Sequence, residues 1–387
     1  MNKIAVITAT RSEYGLLSPV IRNLRKKESD DFKVDLIVTG THLVNEYGYT
    51  INEIVERIDH KIESSALLSS KNDISLIQAD LLVSFTNLFL QEHYSLVVIL
   101  GDRFEMLSVA VAAGNTKTPI AHLCGGDTTE GAIDEWIRHS ITKISYLHFV
   151  TNEDSMRRVI QLGENPARVF NCGSTSIDNI FSMTDISKQE ALMNIGLPDM
   201  MYCVCTYHPE TLDDVDVKKR IFDLLDAIRH FPNIGFIITK SNSDQGGNVI
   251  NSILDIASKK MENVYVYASL GYKRYLSIMK HAEFVLGNSS SGIIETPAFH
   301  IPTVNIGDRQ KGRLHSESVI NCDADVDSIV NAINIALSND FKRECLLCTN
   351  PYGDGHASER ISQKIMDVLQ CDCIDLKKEF YNLEFTV

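Results

Sequence analysis

The sequence predicts an α/β protein made of two doubly wound parallel sheets, and three observations predict it. Short apolar, β-branched runs alternate with segments of helical spacing along all 387 residues. The alternation starts afresh near residue 173, where Asn171-Cys172-Gly173-Ser174 reads as a hinge. Nearly every apolar run also leads at once into small and polar residues, the place where open parallel sheets hold their ligands.

In the first half, strands are expected at 3–9, 33–39, 95–100, 119–124 and 147–151, with helical spacing at 15–27, 73–92 and 105–114. A second series follows, with strands at 169–173, 201–207, 234–240, 264–268, 284–287 and 302–306. Its helices fall near 214–229, 247–260, 271–281 and 291–299. The expected domains are 1–172 and 173–357, facing each other across a central cleft into which strand-end residues of both converge.

This length supplies material for two real cores, and a composition of 44% hydrophobic and 23% charged residues is that of a globular chain. A net charge of −14 argues against sequence-independent binding to nucleic acid or anionic lipid, so an anionic ligand needs locally placed cations. Met1-Asn2-Lys3 runs straight into a strand and no window approaches 18 consecutive apolar residues. Neither a leader nor a membrane span is therefore expected. Nine cysteines, an odd number without a regular framework, fit a reducing cytoplasm. Zinc could use Cys345-x-x-Cys348 with Cys371-x-Cys373, but the second spacing is tight and no histidine pair joins it, so no metal is expected.

The first strand enters Thr8-Ala9-Thr10-Arg11-Ser12-Glu13-Tyr14-Gly15, with a cation where a dinucleotide fold would have its glycines. Arg103 and Arg309 likewise follow strands, and arginine suits bidentate phosphate contacts. The best anion cradle is Gly287-Asn288-Ser289-Ser290-Ser291-Gly292, where small residues and hydroxyls open a helix. It lacks the terminal lysine of a P-loop, and the same residues also make a good helix cap. Carboxylates gather after other strands: Asp102, Asp127, Glu130 and Asp134, with His208 from the second half. Crowded carboxylates suit acid–base work, although divalent-metal binding uses the same groups, and helix capping accounts for Asp127 or Asp134 singly but not for all four.

Together these stretches, with Val38-Thr39-Gly40-Thr41-His42-Leu43, Asp134-Glu135-x-x-Arg138-His139-Ser140, His208-Pro209-Glu210-Thr211 and Gly307-Asp308-Arg309-Gln310-x-Gly312-Arg313, resemble the hydrolysing UDP-N-acetylglucosamine 2-epimerases. The resemblance runs from residue 3 to about 360. It implies a GT-B-like fold of two Rossmann-like domains, with a C-terminal helix (about 358–387) packing back on the first. It implies a homodimer or homotetramer acting on a UDP-sugar in sialic-type acid synthesis without cofactor, metal, nucleic acid or membrane. By motif it places UDP phosphates on Arg11, Ser289, Ser290 and Arg309, beside Gly292, and a ribose hydroxyl on Glu295. The sugar would meet Asp102, Asp134, Arg138, His208 and Asn242. One position departs from the family pattern: Asp127 stands where glutamate is usual, one methylene shorter, with Glu130 three residues on to supply the reach. That departure leaves UDP-2,4-diacetamido-2,4,6-trideoxyglucose open as the substrate. A glycosyltransferase on the same donor site, a non-hydrolysing epimerase and a non-catalytic sensor are the rival readings.

Overall fold

The computed structural model describes residues 1–45, 48–68, 73–128, 133–209, 217–241, 247–371 and 374–384. The chain divides into two compact units, one of Met1–Asn179 with Tyr352–Val387 and one of Ile180–Pro351.

In the first unit the strands are β1 (Asn2–Thr8), β2 (Phe32–Val38), β3 (His60–Lys61), β4 (Leu96–Leu100), β5 (Ile120–Leu123), β6 (Leu147–Val150) and β7 (Val169–Asn171). They form one parallel sheet in the order β3-β2-β1-β4-β5-β6-β7. Helices cover both faces, which is why the strands read as near-continuous apolar runs. The pleat sends alternate residues of β1 to opposite cores. Ile4 and Val6 meet Leu17, Ile21 and Leu24 of helix Arg11–Arg25, with Ile361, Ile365 and Leu369 of helix Ala357–Cys371. Ala5 and Ile7 meet Leu81, Phe85 and Val109 from helices Ile74–Glu92 and Phe104–Asn115. Helix Ile74–Glu92 is long and apolar enough to cross a membrane by length and composition; in this unit it buries Ile77, Leu81, Phe85, Leu88 and Phe89.

The second unit has β8 (Tyr202–Thr206), β9 (Gly235–Thr239), β10 (Val264–Tyr267), β11 (Val285–Gly287), β12 (Thr303–Ile306) and β13 (Val319–Cys322). Its parallel order, β10-β9-β8-β11-β12-β13, repeats the succession of the first sheet. Cys203, Cys205, Phe236 and Ile238 face Ile221, Leu224, Ile250 and Ile333 of the flanking helices. Both sheets are thus doubly wound, as expected from the alternation.

Three details differ from the sequence expectation. The run at 169–173, read with the second series, is β7 and pairs with β6 of the first sheet. The helix expected at 291–299 is Ser290–Ile294 followed by a 3₁₀ turn, Thr296–Phe299, because Pro297 lacks the N–H a longer helix would use. The C-terminal helix ends at Cys371, short of 387, and residues 374–384 form no helix. That last segment is still anchored. Lys378 donates to the carbonyls of Lys143 (2.9 Å) and Ser145 (2.6 Å) and lies 2.7 Å from the buried Glu164 carboxylate. Tyr381 N–H bonds the Gly163 carbonyl at 2.9 Å. Phe380 lies so close to Gly163 that a Cβ there would meet the ring at 2.4 Å.

Candidate active site

In each sheet the order reverses once, between β1 and β4 and between β8 and β11. The crevice beyond the carboxyl ends at such a reversal is where this architecture binds ligands.

In the first unit, Thr10, two residues beyond β1, caps helix Arg11–Arg25 by accepting the Glu13 N–H at 3.3 Å. Glu13 reaches back, and its Oε2 accepts from the Ala9 N–H at 2.9 Å. Its Oε1 is buried without a partner among the described residues. Burial pushes the Glu13 carboxyl up to about 7, with Glu105 adding to the rise and Arg103 opposing it. Arg11 points elsewhere: its guanidinium is half exposed and lies 3.7 Å from Glu53.

Asp102 and Arg103 occupy the turn after β4. Arg103 grips Glu105, which is 0% exposed, through two bonds of 3.0 and 2.8 Å, so this cation is already engaged. Asp102 forms an ion pair with Arg138, only 5% exposed, on helix Ile133–Ile144. Arg138 also donates to the Asp127 carbonyl at 2.7 Å and lies 3.5 Å from Glu135. Asp134 opens the same helix, and burial raises its pKa against the pull of Arg103. The Asp127 carboxylate accepts from Ser155 (2.5 Å) and Thr151 (3.0 Å). Glu130 lies outside the described residues, as does Asn242 in the second unit.

One residue in this unit escaped the sequence reading. His122 sits inside β5, buried, with Nε2 2.7 Å from the Gly101 carbonyl and Nδ1 3.3 Å from the Thr142 hydroxyl. A histidine within an apolar strand carries no sequence signal that separates it from a core residue.

In the second unit, β11 runs into Gly287, whose φ is +126° and where a Cβ would meet the Thr206 carbonyl oxygen at 2.0 Å. Only glycine lets β11 and β8 lie so close at their ends. The next side chain, Asn288, is 0% exposed and holds the His208 backbone from both sides. It accepts the His208 N–H at 2.7 Å and donates to the His208 carbonyl at 2.9 Å. The Asn288 carbonyl accepts from Arg309 (3.0 Å) and Gln310 (2.8 Å). His208 Nδ1 lies 3.1 Å from the Ser241 hydroxyl. His208, Asn288 and Arg309 are therefore one connected group.

Ser289 caps the short helix by accepting from Ser291 N–H at 3.4 Å, and Gly292 packs against Thr303. The Ser290 hydroxyl has no partner among the described residues and is open to a ligand. Burial pushes Glu295, one turn on, up to about 7. Among the described residues, Asp35, His60 and Glu92 alone are grouped closely enough for a metal, and the Lys3 ammonium already sits there, 2.9 Å from Asp35 and 2.6 Å from Glu92.

A family model described as UDP-N-acetylglucosamine 2-epimerase matches residues 24–366. A polysialic acid biosynthesis protein P7 of Escherichia coli is 37% identical, over 99% of this chain and 98% of its own length. A GDP/UDP-N,N'-diacetylbacillosamine 2-epimerase (hydrolyzing) of Campylobacter jejuni is 38% identical, over 98% of this chain and 99% of its own. The crystal structure of UDP-GlcNAc 2-epimerase from Neisseria meningitidis, bound to UDP-GlcNAc, superposes with a TM-score of 0.73 at 20% identity, covering 94% of this chain and 100% of that one. That likeness shows the GT-B-like fold of two parallel-sheet units. With the match spanning most of its length, the chain belongs to the UDP-N-acetylglucosamine 2-epimerase family.

Proposed function

We propose that the chain is a hydrolysing 2-epimerase, converting UDP-N-acetylglucosamine and water to N-acetylmannosamine and UDP for sialic-type acid synthesis. One observation within the family frame carries the reading. Two carboxylates beside the β4 end sit in different environments. Arg138 keeps Asp102 beside a lasting positive charge, which suits a base. Burial raises the pKa of Asp134, which suits a proton donor.

In this reading a carboxylate removes the C2 proton while the C1–O bond to UDP breaks. The resulting glycal takes water at C1 and a proton at C2 from the opposite face. A C2 proton beside an acetamido group is only weakly acidic, so leaving-group departure supplies much of the drive. Ser289, Ser290 and Arg309 take the diphosphate, and Arg11 joins them on leaving Glu53, with Gly292 letting the helix pack close and Glu295 meeting the ribose. His208 assists departure of UDP, and Arg138 and Asn242 serve the sugar. Asp127, tied to Ser155 and Thr151, acts by fixing its loop, with Glu130 as the further carboxylate. Arg103, gripping Glu105, serves to steady the Asp102 turn.

A second substrate has its own support. Relatives 38% and 33% identical are named for N,N'-diacetylbacillosamine, which is 2,4-diacetamido-2,4,6-trideoxyglucose. Incubation with each UDP-sugar in deuterium oxide tests both readings. A free manno-configured sugar carrying deuterium at C2 is expected, and the preferred donor is the one with the higher kcat/KM. A manno product retaining protium at C2 would overturn elimination and hydration. Retained gluco configuration would point to a leaking glycosyltransferase.

A further inference from the structure

We propose that His122 is a positioning residue for Asp102, locking the turn that bears this carboxylate to the helix that bears its counter-ion. The proposal rests on the role given to Asp102 above and goes beyond it to a residue that touches no substrate.

Two strand-end turns and a helix meet at this one ring. A carbonyl oxygen only accepts, so the 2.7 Å contact with Gly101 requires the proton on Nε2. Nδ1 then accepts from Thr142. Gly101 immediately precedes Asp102 and has a φ of +78°, so its peptide plane sets the direction in which Asp102 leaves the turn. Thr142 lies one helical turn beyond Arg138, the residue paired with Asp102. The third element is the loop after β5: a Cβ on Gly125 would stand 3.0 Å from His122 Nδ1 and 3.1 Å from the Thr142 hydroxyl. That loop delivers the Asp127 carbonyl to Arg138. One neutral ring thus ties together the three segments that define the Asp102–Arg138 pair.

The ring is also built to stay neutral. Burial pushes His122 down to about 3, and the nearby His148 on β6 and His139 on the helix oppose its protonation too. A fixed tautomer is what an orienting bond needs, because a second proton would remove the acceptor for Thr142.

The test uses two substitutions that divide the two bonds. In His122→Gln the amide nitrogen falls near the place of Nε2 and keeps the bond to Gly101. In His122→Asn the amide reaches only the Nδ1 side and that bond is lost. His122→Asn should lower kcat by about 10²-fold, the scale of a small misplacement of a reacting group, with KM and the affinity for UDP unchanged. His122→Gln should retain kcat near the parent value. Equal losses in both variants, an unimpaired His122→Asn, or a KM rising in step with the fall in kcat would each overturn the proposal.

Nitrogen-15 spectra of the unsubstituted protein supply a readout independent of turnover. The signal that disappears in His122→Gln should be that of a neutral Nε2-protonated ring from pH 5 to 8. A titrating ring or an Nδ1-protonated one would overturn the proposal even if His122→Asn fails to fold. A parent chain that turns over neither UDP-sugar would instead refute the assigned reaction, leaving the spectra to decide the bond.

Discussion

Asp102 faces a guanidinium that is almost wholly withdrawn from water, and this is the contact that bears on the base role proposed for it. Replacing it with asparagine keeps the size and removes the charge. Asp102→Asn should bind UDP like the parent yet lose about 10²-fold or more in turnover, the usual scale for an acid–base group. Near-normal turnover would move the base elsewhere. Glu13 makes a different prediction, about stability. In the folded chain it holds its proton up to about 7, above its ordinary 4.5. Its stabilising contribution is therefore full below about 4.5 and is lost as pH rises through about 7. Glu13→Gln stays neutral throughout, so its stability relative to the parent should climb between pH 5 and 8, by at most roughly 3 kcal/mol. A difference that does not change with pH would mean that Glu13 is ionised in the fold throughout. Residues such as Asp102 and Ser290 were legible because they are polar and follow an apolar run. Glu13 and His122 were not, since one reads as an ordinary cap partner and the other as part of a strand.

At the scale of elements, strand ends were easier to read than short or polar segments. Residues 96–100 are five buried apolar residues, and burial on both faces leaves no other reading. By contrast, β3 is two residues long, and helix Ile133–Ile144 mixes charged with apolar positions, so neither stood out as an element. β7 was assigned to the wrong sheet because strand sequence does not name its neighbour; pairing with β6 does. The turns after β4 and β11 allow a paired test of why glycine is there. Gly101 has a φ of +78° but open space around the missing Cβ, whereas Gly287 has both a positive φ and the Thr206 carbonyl in the way. Gly101→Ala should cost about 1–2 kcal/mol, the backbone penalty alone. Gly287→Ala should cost about 3 kcal/mol or more, because β8 and β11 must also part. Urea unfolding of both variants measures the difference, and equal losses would show that backbone conformation alone decides.

For the molecule as a whole, UDP at a hundredfold excess over its dissociation constant should stabilise the fold by ~2.7 kcal/mol. Ser290→Ala or Arg309→Ala should remove most of that gain in a thermal shift, and full retention in both would place the diphosphate on another loop. Activity should survive exhaustive chelation, since the proposed chemistry gives every step to protons and fixed cations; loss on EDTA with recovery on magnesium or zinc would overturn that. The division of the chain has a consequence for how the protein is made. Residues 180–351 are continuous and can fold as they leave the ribosome, but the first unit takes its last core helix, Ala357–Cys371, from the far side of that segment. At about 5–20 residues per second, translating the intervening stretch takes roughly ten to thirty seconds. Throughout that interval Leu17, Ile21 and Leu24 lack the cover of Ile361, Ile365 and Leu369. The half of the protein synthesised first is the half completed last, and its nascent form is the one that needs shielding from aggregation.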